Sequence, residues 1–421
     1  MSVGKYLKGT EFRVKDKIDA DSTQSTKLML EDQDRTIIFE NVNGGKAVGN
    51  LFSTRQKVAE ALNIGQDEIV TSLIHASDNP CDTEFTDKPE FRYQSLPVDL
   101  MALPICKYFP EDGGRYISSG IIVSEYNGKR NVSFHRMMIM DRDRIAVRLV
   151  PRHLYRMYNE AKEKGEELKI SICIGARPEM LLAAATSTAY ETDEMTIASS
   201  LCKMGTGKPL QVGRTDNGLI VPSECDYVFE ARITFDETEE GPFVDITGTY
   251  DYIRMQPVIK VEKIWANKDP YFHFLLPGGN EHYLFMGLPR EPMMYISVRE
   301  KVPGVKAVRL TEGGCCWLNG VVSIKKVNED DGRVAALAAL DGHKSMKNVI
   351  VVDDDVDIFD DKEVEWAVAT RFQATRLITI PNSKGSSLDP SADDSITCKV
   401  GIDATIPLDR DRKAYLKAQL P

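Results

Sequence analysis

The period of hydrophobic and polar positions changes twice along the chain. In the first hundred residues it alternates between strand-like and helix-like stretches. "TIIFENV" reads as a strand, and "STRQKVAEALNI" as an amphipathic helix opened by a Ser/Thr cap. Between them "GGKAVGN" reads as a glycine-rich strand-to-helix turn, without the Lys-Ser/Thr ending of a phosphate-binding P-loop. From about 115 to 300 short β-rich segments dominate: "YISSGIIVSEY", "RIAVRLV", "LKISICIGA", "YVFEARITF", "VDITGTYDYI", "QPVIKVEKIWA" and "MYISVRE". Turn signals such as "YNGKR" and "EEGPF" separate them, and helices interrupt twice, at "PRHLYRMYNEAKEKG" and "PEMLLAAATS". Many short strands with few helices predict a closed or split barrel. Beyond about 310 the α/β alternation returns, with "VSIKKV", "NVIVV" and "LITI" as buried strands and "DKEVEWAVATRF" as a helix. The expected fold class is α/β (α+β) in three parts. These are an N-terminal mixed α/β domain over 1–105, a central split β-barrel over 106–305 and a C-terminal α/β domain over 306–421.

Composition narrows the partners more than the fold. At 421 residues the chain has room for two or three cores, and its 28% charged residues are those of an ordinary globular protein. A formal net charge of −11 argues against a nucleic-acid or anionic-membrane partner, since either favours a basic face. The start "MSVGKYLKGTEFRVKDK" has no apolar core of a secretory signal, and no apolar run approaches the ~20 residues that span a bilayer. The eight cysteines form no CxxC pair, and the only close two are Cys315 and Cys316. That pattern is neither a disulfide framework nor a zinc site, so a reducing, cytoplasmic location is expected.

Candidate chemistry lies in the acids and histidines. "VVDDDVDIFDDKEVEW" alternates Asp353, Asp355 and Asp357 as a calcium loop does. However, Ile358 stands where such a loop needs Gly, and Val364 where it needs Glu. The ordinary reading is a strand ending in an acidic loop, then a helix whose N-terminus favours acids and whose Asp360 and Glu363 form a capping pair. His135, His153 and His282 each read as a structural histidine or as a ligand, depending on what converges on them. "EEGPFVD" places Glu240 and Asp245 on either side of a Gly-Pro turn, which is hairpin chemistry or half of an active site.

Six segments in order resemble the UbiD family of prenylated-FMN-dependent decarboxylases. They are "GGKAVGNLFSTRQKVAEALNI", "RNVSFHRM", "ETDEMTIASSL", "EEGPFVDITGTY", "VVDDDVDIFDDKEVEWAVATRF" and "SSLDPSA…KVGIDAT". The resemblance implies a flavin-binding central domain and an oligomerising C-terminal one. It implies that Asn131, His153 and Glu194 hold a divalent metal, usually manganese, against the cofactor phosphate, with Val132, Ser133, Arg152 and Lys399 also at the cofactor. A potassium ion is expected near Ala183–Thr186. Arg136, Glu240 and Asp245 match the family's acid–arginine–acid catalytic group, although Val244 stands where many relatives have Gly. The implied reaction is reversible, non-oxidative decarboxylation of an α,β-unsaturated acid by 1,3-dipolar cycloaddition to the cofactor, which carries the electron sink. Arg136 would hold the substrate carboxylate and Asp245 would protonate the carbon left behind.

"PGGNEHYLFMGLPREP" looks most like archaeal and anaerobic members, which favours anhydromevalonate 5-phosphate, in isoprenoid biosynthesis, as substrate. The alternative is an aromatic or heteroaromatic acid. A phosphorylated substrate needs a second cationic patch, distinct from Arg136 and Lys399. An aromatic one needs apolar walls and a hydroxyl-binding group such as His282. A reading of another class, an inactive flavin-binding or assembly protein, is opposed by the joint presence of Arg136, Glu240 and Asp245. Implied partners are a flavin prenyltransferase that supplies the cofactor and further copies of the chain, as a homodimer or homohexamer.

Overall fold

A computed structural model describes residues 3–418, which belong to two compact units, Met1–Phe285 and Met286–Pro421. Each mixes helices with sheets, as the alternating pattern predicts.

The first unit begins with a small sheet. Phe12–Val14 pairs in parallel with Ile37–Val42, which forms a hairpin with Gly45–Gly49. A strand from far along the chain, Tyr271–Phe274, completes it in parallel with Gly45–Gly49. Here "GGKAVGN" departs from expectation, because it is a strand and not a strand-to-helix turn. The reversal is at Asn43 and the first glycine, Gly44, whose φ values of 52° and 83° are those of a tight hairpin turn. The helix that follows, Arg55–Leu62, is capped as expected: the Thr54 hydroxyl accepts from the Lys57 N–H.

The core of this unit is a nine-stranded antiparallel sheet. In chain order its strands are β1 (Tyr116–Ile117), β2 (Ile121–Tyr126), β3 (Lys129–Phe134), β4 (Met137–Ile139), β5 (Arg144–Val147), β6 (Leu168–Ile174) and β7 (Tyr227–Glu240). A small separate hairpin follows, β8 (Phe243–Val244) and β9 (Tyr250–Asp251), and then β10 (Arg254–Ala266) returns to the sheet. The spatial order is β1-β4-β5-β10-β7-β6-β2-β3, with Gln94–Leu96 added beside β10. Among the described residues no pairing joins β1 to β3, so this is an open, split sheet and not a closed barrel.

Helix α1 (His153–Glu163) lies against β2, β3 and β6. It buries Leu154, Met157, Tyr158 and Ala161, one stripe at helical spacing, and each large apolar side chain there contributes about 1.5–3 kcal/mol. Helix α2 (Pro178–Ala185) starts with its proline at the first turn. Helix α3 (Glu194–Thr206) is capped by Asp193, which accepts from the Met195 N–H, and it ends at Gly207 in the left-handed region.

The second unit carries a five-stranded sheet in the order Val305–Leu310, Asn319–Ile324, Asn348–Asp353, Ile396–Asp403, Leu377–Lys384. "MYISVRE", read as strand, is in fact part of the helix Glu291–Lys301. Pro292 in the first turn, Glu291 before it and basic Arg299 and Lys301 in the last turn are helix-end chemistry, and they outweigh the β-branched and aromatic residues between. The acidic run ends a strand at Asp353 and enters the helix Asp361–Arg371. Asp360 caps that helix by accepting from the Lys362 N–H, whereas Glu363 pairs with Lys417 instead of completing a box. Among the described residues no helix is long and apolar enough to cross a membrane.

Candidate active site

Arg136 follows β3 and precedes β4, at a corner of the sheet. On the other side β7 delivers Glu240 as its last residue, and Gly241 at φ 106° turns the chain into the β8–β9 hairpin. The hairpin pairs Phe243 with Asp251, so the chain returns within a few residues and three carboxylates come to surround one guanidinium. Glu240 takes Arg136 in a two-pronged grip, from Nε at 3.0 Å and Nη2 at 2.9 Å. Asp251 lies 3.0 Å from Nη2. Asp245 is held more loosely, by Nη1 alone at 3.5 Å, while its other oxygen accepts from the Ile246 N–H.

Burial separates the acids further. Glu240 is fully buried and also accepts from the Tyr116 hydroxyl at 3.0 Å, whereas the Asp245 side chain keeps 24% of its surface exposed. Phe243 floors the cluster, with its ring 4.3 Å from Tyr116 and 5.1 Å from the Arg136 guanidinium. Burial works against the Arg136 charge, but Glu240, Asp251 and Asp245 more than compensate and its pKa is raised. Asp251 is pushed up by burial, yet Arg254 and Arg136 hold it below the ordinary carboxylate range. Asp112, on the loop whose Gly113 N–H donates to the Pro242 carbonyl, has among the described residues no arginine partner, only the weaker pull of Lys107. Burial raises it to about 6, against backbone N–H donors from Phe109, Val244 and Tyr108.

A second cluster forms between β3 and the start of α3. The Glu194 carboxylate, 2% exposed, accepts from the Val132 N–H at 2.9 Å, the Asn131 amide at 3.3 Å and the Thr188 hydroxyl at 3.0 Å. Burial lifts Glu194 to about 7 against the Val132 N–H and Thr188 hydroxyl, and among the described residues no cation pairs with it. Ser133 donates to the Asn131 amide oxygen. His153, at the start of α1, packs its ring 5.4 Å from Tyr190, whose buried hydroxyl finds no hydrogen-bond partner among the described residues. Its pKa is lowered, first by burial and then by Arg152 and Arg156, which keeps the imidazole neutral. An amide oxygen, a carboxylate and a neutral imidazole are donor types that suit a hard divalent cation; the structure joins Asn131 to Glu194 directly, and His153 contacts Tyr190. Among the described residues no three His, Cys, Asp or Glu side chains form a metal cage. The set here includes an amide.

The remaining candidates separate. Ala183–Thr186 is the C-terminal end of α2, and the Thr186 N–H and hydroxyl return to the Ala183 and Leu182 carbonyls. Arg152 is exposed at the cap of α1. Lys399 belongs to the second unit, where it is buried, donates to the Lys344 carbonyl at 2.5 Å and has its pKa lowered by burial. His135 is structural: burial drives it to about 4, and its Nδ1–H donates to the Arg148 carbonyl at 3.0 Å. His282 accepts the Gly278 N–H at Nδ1, and Asp245 partly offsets the burial that lowers its pKa. Sequence reasoning missed Asp251 and, beside it, Arg254, which donates to Asp251 at 2.6 Å. The available signal was Asp-x-x-Arg directly after a hairpin-length return from Glu240.

Three family models match in series. They are the N-terminal, Rift-related and C-terminal domains of 3-octaprenyl-4-hydroxybenzoate carboxy-lyase, over residues 13–77, 83–280 and 283–404. The chain belongs to the UbiD family. It is thereby a member of a carboxy-lyase family, and its relatives sharpen the picture. It is 42% identical over 407 residues to the anhydromevalonate phosphate decarboxylase of Methanocaldococcus jannaschii, covering 94% of each chain. It is 38% identical over 427 residues to that of Aeropyrum pernix, covering 100% of this chain and 96% of the other. The solved UbiD-class enzyme HmfF from Pelotomaculum thermopropionicum, in complex with FMN, superposes with a TM-score of 0.95 at 32% identity, over 100% of this chain and 98% of that one. An evolved dimeric form of HmfF with prFMN gives a TM-score of 0.90 at 30% identity, over 100% of this chain and 97% of that one.

Proposed function

We propose that this protein is a prenylated-FMN-dependent decarboxylase of an α,β-unsaturated acid, with anhydromevalonate 5-phosphate as substrate in isoprenoid biosynthesis. The observation that carries the reading is the unequal grip of Arg136 on its acids: Glu240 is buried and doubly bonded, Asp245 partly exposed and held at 3.5 Å. A locked acid orients the guanidinium, and a loosely held one is free to exchange a proton. Arg136 binds the substrate carboxylate, Glu240 and Asp251 fix its plane, and Asp245 delivers the proton to the carbon that CO₂ leaves. Prenylated FMN, when bound, supplies the electron sink.

Asn131, His153 and Glu194 would hold a manganese ion for the cofactor, with Val132, Ser133 and Arg152 as further cofactor contacts. The uncompensated Glu194 carboxyl supports this assignment. Potassium would sit at the C-terminal end of α2, where the helix dipole favours a cation. The enzyme would work in the cytoplasm as a homo-oligomer, loaded by a flavin prenyltransferase. Support for the substrate comes from the full-length identity to the anhydromevalonate phosphate decarboxylases of two archaea.

The test is CO₂ release by protein co-expressed with a flavin prenyltransferase, comparing anhydromevalonate 5-phosphate with a panel of aryl acids. Turnover of aryl acids alone would overturn the substrate. Asp245→Asn is expected to retain the flavin absorbance while losing about 10³-fold in kcat, roughly 4 kcal/mol of barrier. Undiminished CO₂ release by that variant removes the proton-donor role.

A further inference from the structure

The antiparallel register sets two arginines side by side. β4 and β5 pair Met137 with Val147, and the next step along places Arg136 beside Arg148, whose N–H donates to the Arg136 carbonyl at 3.2 Å. β5 and β10 pair Ala146 with Val258, so the same row continues to Gln256, whose side-chain oxygen accepts from the Leu149 N–H at 2.8 Å. Two residues before Gln256, and therefore on the same face, stands Arg254, directly opposite Glu240. Like charges abreast on one sheet face destabilise it. Arg136 is relieved by Glu240, Asp245 and Asp251, and Arg254 by Asp251. Arg148 is half-buried and, among the described residues, its guanidinium makes no hydrogen bond or ion pair. Its pKa is lowered, by burial first and then by repulsion from Arg254 and Arg136.

A half-buried guanidinium beside two others, without a carboxylate of its own among the described residues, is an anion site in waiting. We propose that Arg148, with Arg254 beside it, binds the phosphate monoester of the substrate while Arg136 serves the carboxylate end. This deepens the decarboxylase reading and rests on it for the identity of the ligand. The row makes Arg148 a specificity determinant: an acid without a phosphate leaves it unmatched.

The experiment uses the cofactor-loaded enzyme, whose flavin phosphate already fills its own site. Affinities for inorganic phosphate and for butyrate, a carboxylate without phosphate, are measured by calorimetry on wild type, Arg148→Met and Arg148→Lys. Arg148→Met is expected to weaken phosphate at least tenfold and butyrate less than twofold, with most of the loss restored by Arg148→Lys. With anhydromevalonate 5-phosphate as substrate, KM should rise at least tenfold, far more than kcat falls. Equal phosphate affinity in wild type and Arg148→Met, or equal losses for phosphate and butyrate, would overturn the proposal. Phosphate binding through Arg148 without CO₂ from the phosphorylated acid would leave the subsite standing and remove the decarboxylase substrate. Turnover of that acid with an unchanged KM in Arg148→Met would do the reverse.

Discussion

Each compact unit contains an arginine gripped by neighbouring aspartates or glutamates, and the two groups behave differently. In the second unit Arg371 binds both oxygens of Asp355 at 2.9 Å and one of Asp353 at 3.1 Å. Arg412 lies 3.3 Å from Asp353 and 3.5 Å from Asp355, and the Ile406 N–H donates to Asp353 as well. Two cations face two anions, and the knot is closed. Around Arg136 three carboxylates crowd one guanidinium, with Arg254 sharing only Asp251, and among the described residues Arg148 beside them has no carboxylate of its own. Exposure does not distinguish the groups, since Asp355 at 27% and Asp245 at 24% are alike. What distinguishes them is grip. A doubly bonded, closed group serves stability, while a group with a loosely held acid and an unpaired cation is left able to react and bind.

That contrast can be broken by substitution. Arg371→Met leaves Asp353 buried with its nearest cation gone, so unfolding in urea should reveal a loss of about 3–5 kcal/mol. Protein that remains folded should keep its kcat, and a stability loss below about 1 kcal/mol would mean that Arg412 alone suffices. Asp112 sharpens the comparison from the other side, being a buried acid with no arginine. Its folded pKa, about 6, lies above its unfolded value, so its stabilising contribution is present at low pH and is lost as pH rises through about 6. Unfolding titrations should show wild type losing at most about 3 kcal/mol relative to Asp112→Asn between about pH 4 and pH 6, and nothing further above. A parallel pH dependence in both proteins would contradict the assignment. Asp251→Asn should have the smallest effect. It loosens Arg136 and Arg254 together and should lower kcat/KM about tenfold, about 1.4 kcal/mol, with Glu240 still holding the fork. An effect as large as that of Asp245→Asn would promote Asp251 to the role proposed for Asp245.

The sequence made one cluster conspicuous and the other quiet, and the conspicuous one proved to be ordinary packing. "DDDVD" announces itself by density, yet its Asp353 and Asp355 end in the Arg371 knot. "EEGPFVD" looks like a turn, and its Glu240 and Asp245 both reach Arg136. Glu240 and Asp245 were legible because both flank one Gly-Pro reversal, so local chain direction brings them together. Asn131 and Glu194 were legible only through the family motifs, because sixty residues of intervening sheet and helix fix their meeting. Asp251, Arg254 and Arg148 were not legible. Their convergence depends on the register of three strand pairs and on two irregularities in the β7–β10 ladder, at Glu230/Ala231 and Ile233/Glu237. A shift of one residue there would turn the whole row to the other face. Helix Glu291–Lys301 was hidden for a different reason: "MYISVRE" has strand-like residues, and its helical character resides in end chemistry.

Gly113 lies so close to the Gly241 carbonyl that any side chain added at 113 would collide with backbone, and Gly241 itself has a φ of 106°. The loop carrying Asp112 and the turn carrying Glu240 are therefore pressed together along bare main chain. For anyone reshaping this pocket toward other acids, 113 and 241 are positions to leave untouched in a library. Diversity belongs at side chains such as Arg148, which is half-buried and outside the Glu240–Asp251 turn.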